Sequence, residues 1–185
     1  MHLVPFGEFV PFRESFPPFD WIAGSQITDD FSRGKYPTPI SLPASISEDV
    51  EIVPLICFED TVPTLPRRFL SSNPQLLVTV TNNGWFNESS NAIQHAVNAK
   101  FRCIELRRPM IRCANNGVTC YIRPSGKVDS ILDPFEWGAL VIEVDIPAAS
   151  SPTFYARHGD LFSKILGGIA LLLIGLHVRS SRKKK

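Results

Sequence analysis

Hydrophobic residues are spaced irregularly over the first 48 positions and regularly after them. In the first stretch Pro5, Pro11, Pro17, Pro18, Pro37, Pro39 and Pro43 rule out a long helix, because each lacks the N–H that a helix interior needs. Phe6, Phe9, Phe12, Phe16 and Phe19 stand among them. So many rings fit a functional loop or lid packed on protein or lipid better than a solvated one.

From Glu51 the pattern predicts elements. Glu51-Ile52-Val53-Pro54-Leu55-Ile56 reads as a strand, with Pro54 marking an edge or a bulge, and it runs straight into Cys57-Phe58-Glu59-Asp60. A helix is expected next, with Thr64 as N-cap and Pro66 in its first turn. Gln75–Thr81 predicts a second strand, apolar enough to be buried on both faces, followed by the polar turn Asn82-Asn83-Gly84. Over residues 90–107 Ala92, Ala96, Ala99 and Cys103 recur at helical spacing beside Ile93, Val97 and Ile104. Arg107 and Arg108 suit the C-terminal end of that helix, and Pro109 stops it. Met110–Ala114 and Val118–Ile122 read as strands joined by Asn115-Asn116-Gly117, a hairpin signal. Pro124-Ser125-Gly126-Lys127 is a further turn, and Ala139–Asp145 is expected to be the last strand. Strand, helix, strand, helix and then a meander predict an α/β (layered α+β) protein whose sheet mixes parallel and antiparallel pairs.

The pattern changes in kind from Leu161 to Val178, where Lys164 is the one charged residue. Eighteen residues at a rise of about 1.5 Å give roughly 27 Å of helix, close to the ~30 Å hydrocarbon core of a bilayer. Lys164 can snorkel to the interface. Arg179, Arg182, Lys183, Lys184 and Lys185 follow, and a basic cluster flanking a span favours the cytoplasmic side. The expected organisation is a globular domain over 1–160, a transmembrane helix over 161–178 and a basic cytoplasmic tail over 179–185. The globular part then lies across the membrane from the tail.

Composition narrows the function classes. With 44% hydrophobic residues the chain can build a core, and a net charge of +1 gives no bulk attraction to nucleic acid. The beginning has neither a basic n-region nor a long apolar run, so no signal peptide is expected. A chain that starts in mid-pattern is expected to be a piece of something longer. No two of Cys57, Cys103, Cys113 and Cys120 have the spacing of a zinc or redox pair. No metal or cofactor is implied, and Cys103, Cys113 and Cys120 are expected to be buried free thiols.

Cys57 differs because it ends a strand and precedes a turn into a helix. Such a corner lifts a nucleophile out of the sheet and can present backbone N–H groups to an oxyanion. Glu59, two residues on, could orient a partner or a proton. His95, on a helix, reads as a hydrogen-bonded core histidine. Arg107 and Arg108 read as a solvated helix end.

Several segments together resemble one family. Leu3-Val4-Pro5-Phe6-Gly7-Glu8-Phe9-Val10-Pro11 resembles the "LVPFGE-x-VP" signature of the apolipoprotein N-acyltransferases, membrane members of the nitrilase (carbon–nitrogen hydrolase) superfamily. Ile56-Cys57-Phe58-Glu59 resembles their "ICYE" nucleophile segment, and Thr81-Asn82-Asn83-Gly84-Trp85-Phe86 their "TND-x-WF" loop. The run from Gln94-His95 to Arg108-Pro109, the run Arg112–Gly117 and the run Thr153–Asp160 also match, in order, over nearly the whole chain.

The resemblance implies the C-terminal part of a four-layer α-β-β-α sandwich followed by one transmembrane helix. It implies an acyl group moved from a phospholipid to the amino-terminal diacylglyceryl-cysteine of an apolipoprotein, at a bacterial inner membrane, with the globular part periplasmic. Cys57 matches the nucleophile, and Glu8 and Glu59 match two further site carboxylates. In a lipid-using enzyme Trp85 and Phe86 would line the acyl-chain entrance, with Phe58 beside them as a substrate-binding residue, and plain packing is the alternative. Phe58 stands where tyrosine is frequent, and Asn83 where aspartate is. The family's lysine and base glutamate match no position here, so the chain alone is expected to be inactive, with a missing N-terminal portion of the same enzyme as a partner. Two alternatives are a nitrilase-like amidase acting on a small amide and a non-catalytic membrane-anchored remnant.

Overall fold

The computed structural model describes residues 8–13, 15, 18, 31, 32, 34–46, 49–84, 89–148 and 151–182. Contacts divide the chain into two units, Met1–Ser151 and Pro152–Lys185.

The first unit is α/β. Its described residues form a six-stranded mixed sheet in chain order: β1 (Ile40–Ser41), β2 (Glu51–Ile56), β3 (Gln75–Asn82), β4 (Met110–Asn115), β5 (Thr119–Ile122) and β6 (Val128–Leu132). β2, β3 and β4 run parallel, and the remaining neighbours are antiparallel. Parallel neighbours need crossovers. The first is the short helical turn Cys57–Thr61 with α1 (Thr64–Arg67), and the second is α2 (Asn91–Leu106). The expected first helix is thus a single turn with Pro63 at its N-cap and Thr64 one place inside. β1 pairs only with the first two residues of β2. Pro54, with no N–H to give, therefore sits where β2 is an edge, as expected.

Register sorts the side chains. Val53, Leu77, Met110 and Ile122 lie in one row across four strands, and all four are fully buried. The next row toward the carboxyl ends of the parallel strands is Leu55, Thr79, Arg112 and Cys120. The buried face thus turns from apolar to polar in one step. α2 meets the core with Ala92, Ala96, Ala99, Cys103 and Leu106, all buried, while Ile93, Val97 and Ile104 face outward. Alanines let the helix approach closely. Arg107 ends it in the left-handed region, at φ 54°.

The opposite face of the sheet is open. Ile56, Val80 and Cys113 form a row across β2, β3 and β4, and all three are exposed. β3 is therefore not buried on both faces as its apolar sequence predicts, because beyond Leu76 no described element covers its second side. The same alternation exposes Cys113, against the expectation of a buried thiol. Ala139–Asp145 is not a strand. Its burial alternates as a strand's would, but it joins no ladder among the described residues, and β6 is the last strand of the sheet. Arg108 is buried rather than solvated, and desolvation lowers its guanidinium pKa.

In the β5–β6 turn Arg123 N–H donates to the Lys127 carbonyl and Gly126 N–H to the Arg123 carbonyl, both at 2.8 Å. Gly126 has φ 81°, a left-handed conformation that favours glycine, and a Cβ there would have to displace the outer end of the Ile104 side chain, 2.6 Å away.

In the second unit, Thr153 Oγ1 accepts from Ala156 N–H at 3.0 Å and caps α3 (Phe154–His158). α4 (Leu161–Arg182) contains a stretch, Leu161–Ser181, of mean hydropathy 2.0 with none of its apolar window buried. It is long and apolar enough to cross a membrane, and it extends past the expected 161–178.

Glu51, at the start of β2, accepts from Ser71 Oγ at 2.6 Å, Asn73 Nδ2 at 2.8 Å and Gln75 Nε2 at 2.9 Å. The bond from Ser71, with those from Gln75 and Asn73 against desolvation, holds the Glu51 carboxyl below its ordinary pKa. A carboxyl with a depressed folded pKa adds stability that is complete above its unfolded pKa, about 4.3. That stability is lost as pH falls through the folded value. Denaturant unfolding measured between roughly pH 6 and pH 3 should show this loss, and Glu51→Gln should flatten that acid limb. A limb unchanged by the substitution would remove Glu51 from the account.

Candidate active site

β2 delivers the chain to Cys57 at its carboxyl end, and there the backbone turns sharply. Cys57 has φ 50°, in the left-handed region, directly after Ile56 in extended conformation. A non-glycine residue so placed costs on the order of 1–3 kcal/mol and persists only where its surroundings over-determine it. Those surroundings are on both sides of the residue. Glu59 Oε2 reaches back to accept from Ile56 N–H at 3.0 Å, and Thr61 Oγ1 donates to the Phe58 carbonyl at 2.7 Å. Val62 N–H donates to the Glu59 carbonyl at 3.2 Å and closes the turn.

Beneath the turn lies a buried polar cluster. Asp60 is fully buried, and Arg112, reaching up from β4, donates to its Oδ2. Its other oxygen, Oδ1, is 2.8 Å from His95 Nε2. The same Nε2 is 3.2 Å from the Cys57 carbonyl. Both neighbours of Nε2 are acceptors, so Nε2 carries the hydrogen and donates to them. His95 Nδ1 lies 3.1 Å from Asn83 Oδ1, which also accepts from Thr81 Oγ1 at 3.1 Å. Two turns of α2 beyond His95, Arg102 donates to the Thr61 carbonyl at 3.4 Å and pairs with Glu105 at 2.8 Å. α2 therefore grips the Cys57–Thr61 turn at two points.

The loop after β3 is fixed to β4. Gly84 N–H and Asn115 Nδ2 both donate to Asn82 Oδ1, at 3.0 and 3.2 Å, and Asn83 N–H donates to the Asn115 carbonyl at 3.0 Å. Cys57 and the Asn82–Gly84 loop thus stand at the carboxyl ends of adjacent parallel strands, where open α/β sheets place their ligands.

Of the residues singled out from sequence, Cys57, Phe58 and Glu59 share one turn. Cys57 is half-buried and Phe58 is 45% exposed. Glu59 is buried, and its observed contact braces the turn. Glu8 is half-buried on a separate turn, where its carbonyl accepts from Phe31 N–H at 2.9 Å. Trp85 and Phe86 lie outside the described residues. His95 is the hydrogen-bonded core histidine that its helical position predicts. Its attachment to the Cys57 turn was not legible, nor were the contacts of Asp60 and Arg112. The sequence signals were an arginine at an inward position of the β4 alternation, between Met110 and Ala114, and the places of His95 and Arg112 in the matched runs.

The two buried thiols, Cys103 and Cys120, are poor nucleophiles. Burial pushes Cys120 up to about 11 and raises Cys103 still further, so neither supplies thiolate near neutrality. A cleft of about 520 Å³ between β4 and the segment from Leu132 to Ile142 is lined by Cys113, Asn116 and Trp137 but not by Cys57.

Residues 1–151 match the carbon–nitrogen hydrolase family. The chain is 36% identical over 174 residues to a protein named apolipoprotein N-acyltransferase from Chlorobaculum tepidum, covering 94% of this chain and 32% of that relative. It is 36% identical over 182 residues to the protein of that name from Shewanella oneidensis, covering 98% of this chain and 34% of the relative. For the Bradyrhizobium diazoefficiens relative of that name the identity is 34% over 174 residues, 94% of this chain and 31% of the relative. The chain spans about a third of the length of these curated relatives. The left-handed corner that raises Cys57 from the sheet lies within a match covering most of the chain, which therefore belongs to the carbon–nitrogen hydrolase family.

Proposed function

We propose that this chain is the nucleophile-bearing part of an N-acyltransferase that completes lipoproteins. The observation that carries the reading is Cys57, held at a strained and braced corner, in a chain 36% identical to relatives named apolipoprotein N-acyltransferase.

In this reading the Cys57 thiolate attacks the ester carbonyl of a phospholipid. The C–S bond forms, the ester C–O bond breaks, and the lysophospholipid oxygen leaves with a proton. The amino group of an apolipoprotein's diacylglyceryl-cysteine then attacks the thioester. The C–N bond forms, the C–S bond breaks, and the thiol is restored by the proton the amine gives up. A thiol needs a base to do this near neutrality. The family's lysine and base glutamate belong to residues outside these 185. Glu8 and Glu59 serve as supporting carboxylates, and Phe58, Trp85 and Phe86 border the acyl chain. The amidase alternative is less favoured, because a small-amide hydrolase has no use for a 22-residue apolar helix.

The test is thioester formation from a labelled phospholipid, compared in the 185-residue chain, in the full-length gene product and in its Cys57→Ala variant. The full-length protein should form the thioester and Cys57→Ala should not. The short chain should fall below it by at least about 10²–10³, the usual cost of losing one oxyanion donor or a general base. Thioester surviving Cys57→Ala would sink the nucleophile assignment.

α4 is read here as the span, with residues 161–178 in the bilayer, a cytoplasmic basic tail and the nucleophile domain in the periplasm. A C-terminal alkaline phosphatase fusion should be silent, and the protein should need detergent for extraction. An active fusion reverses the orientation.

The open row Ile56, Val80 and Cys113 is read as the face that a second sheet covers in the longer protein, completing the four-layer sandwich. A maleimide should label Cys113 readily in the 185-residue chain and slowly in the full-length protein. Equal labelling would leave the face uncovered.

A further inference from the structure

The corner at Cys57 is held by a side chain that never reaches the reacting atoms. Asp60 has no exposed surface, and its two oxygens are committed to Arg112 and to His95 Nε2. That fixes the imidazole in its plane, with Nε2–H directed between Asp60 Oδ1 at 2.8 Å and the Cys57 carbonyl at 3.2 Å. The opposite edge of the ring meets Asn83, whose backbone N–H is bonded to the Asn115 carbonyl at the end of β4. One ring therefore joins the turn after β2 to the loop after β3, and these two segments flank the nucleophile.

We propose that His95 is a positioning residue, whose Nε2–H, aimed by the Arg112–Asp60 pair, holds the Cys57 carbonyl and so keeps Cys57 in the left-handed conformation that presents its thiol to substrate. This rests on the reading of Cys57 as nucleophile. The carbonyl of a residue with φ near +50° points away from the direction it takes in a continuing strand. A donor fixed beneath it favours that one orientation. Without the donor the carbonyl is free to swing back toward the strand conformation, and the thiol turns with it. Asp60 serves as aligner and counter-charge, and Arg112 keeps that carboxylate in place on the floor of the sheet. His95 is 8% exposed and lies behind the backbone of Cys57. Its contact is with the peptide rather than with the sulfur, so the ring positions the nucleophile and does not deprotonate it.

The side-chain geometry supplies a discriminating pair of variants. The amide nitrogen of glutamine extends to about the position of Nε2 and can keep a donor between Asp60 and the Cys57 carbonyl. That of asparagine stops short, near the position of Nδ1. In the full-length protein, single-turnover acylation by a labelled phospholipid should be about 10²-fold slower for His95→Asn and His95→Ala, with the KM for the donor unchanged. His95→Gln should stay within about tenfold of wild type. Alkylation of Cys57 by iodoacetamide, followed by peptide mapping so that exposed Cys113 is counted separately, should rank the variants in the same order without any acyl transfer. All rates are referred to the folded fraction measured by circular dichroism.

Gln and Asn variants equally slow in both assays would overturn the proposal. So would wild-type rates in all three with only the melting temperature lowered. Transfer that survives Cys57→Ala would fall on the nucleophile reading instead, while the alkylation ranking would still decide the role of His95.

Discussion

A single buried carboxylate organises the end of the sheet at which Cys57 stands. Asp60 has no exposed surface, and an ion so placed is tolerated only when paired and hydrogen-bonded. Its partners come from two different elements, Arg112 from β4 and His95 from α2. Satisfying one charge therefore docks the helix on the sheet and fixes the turn between them. Removing Asp60 or Arg112 would leave a buried charge uncompensated, which costs more than the pair contributes. Such a cluster sets the relative placement of its elements more than it adds net stability.

The sheet prepares for this by its rows. The apolar row Val53, Leu77, Met110 and Ile122 fills the space under α2. One step nearer the strand ends, Thr79 and Arg112 replace aliphatic side chains. The core thus becomes polar where the backbone must leave the strand and turn. Cys57 occupies a conformation that most residues avoid, and its cost is offset locally by Glu59 on the preceding peptide and by His95 on its own carbonyl. The two faces of the sheet differ for the same reason of register. One is sealed by alanine-rich α2, and the other keeps Ile56, Val80 and Cys113 in the open.

The two units rest on different physics. In the first, stability comes from packing and from a few demanding polar contacts. In the second, α4 satisfies its backbone internally and leaves its apolar side chains outward, which suits a lipid solvent and not water. The proposed chemistry draws on the family match and on this helix.

The sequence by itself determined the local elements. The periodicity of Ala92, Ala96, Ala99 and Cys103, the Asn116-Gly117 turn and the apolar run from Leu161 each carry their signal within a few neighbouring residues, and those elements formed. So did the corner at Cys57, because a strand that ends in a turn is written in adjacent positions. What only the tertiary structure decided is whatever depends on residues far apart in the chain. Ala139–Asp145 has a strand's alternation but no ladder partner, and a strand exists only in pairing. Cys113 looks as buried as Cys120 in sequence, yet they face opposite sides of one sheet. Above all, Asp60, His95 and Arg112 are separated by 35 and 52 positions along the chain. No local pattern announces their meeting, because it is created by the crossover of α2 over two parallel strands.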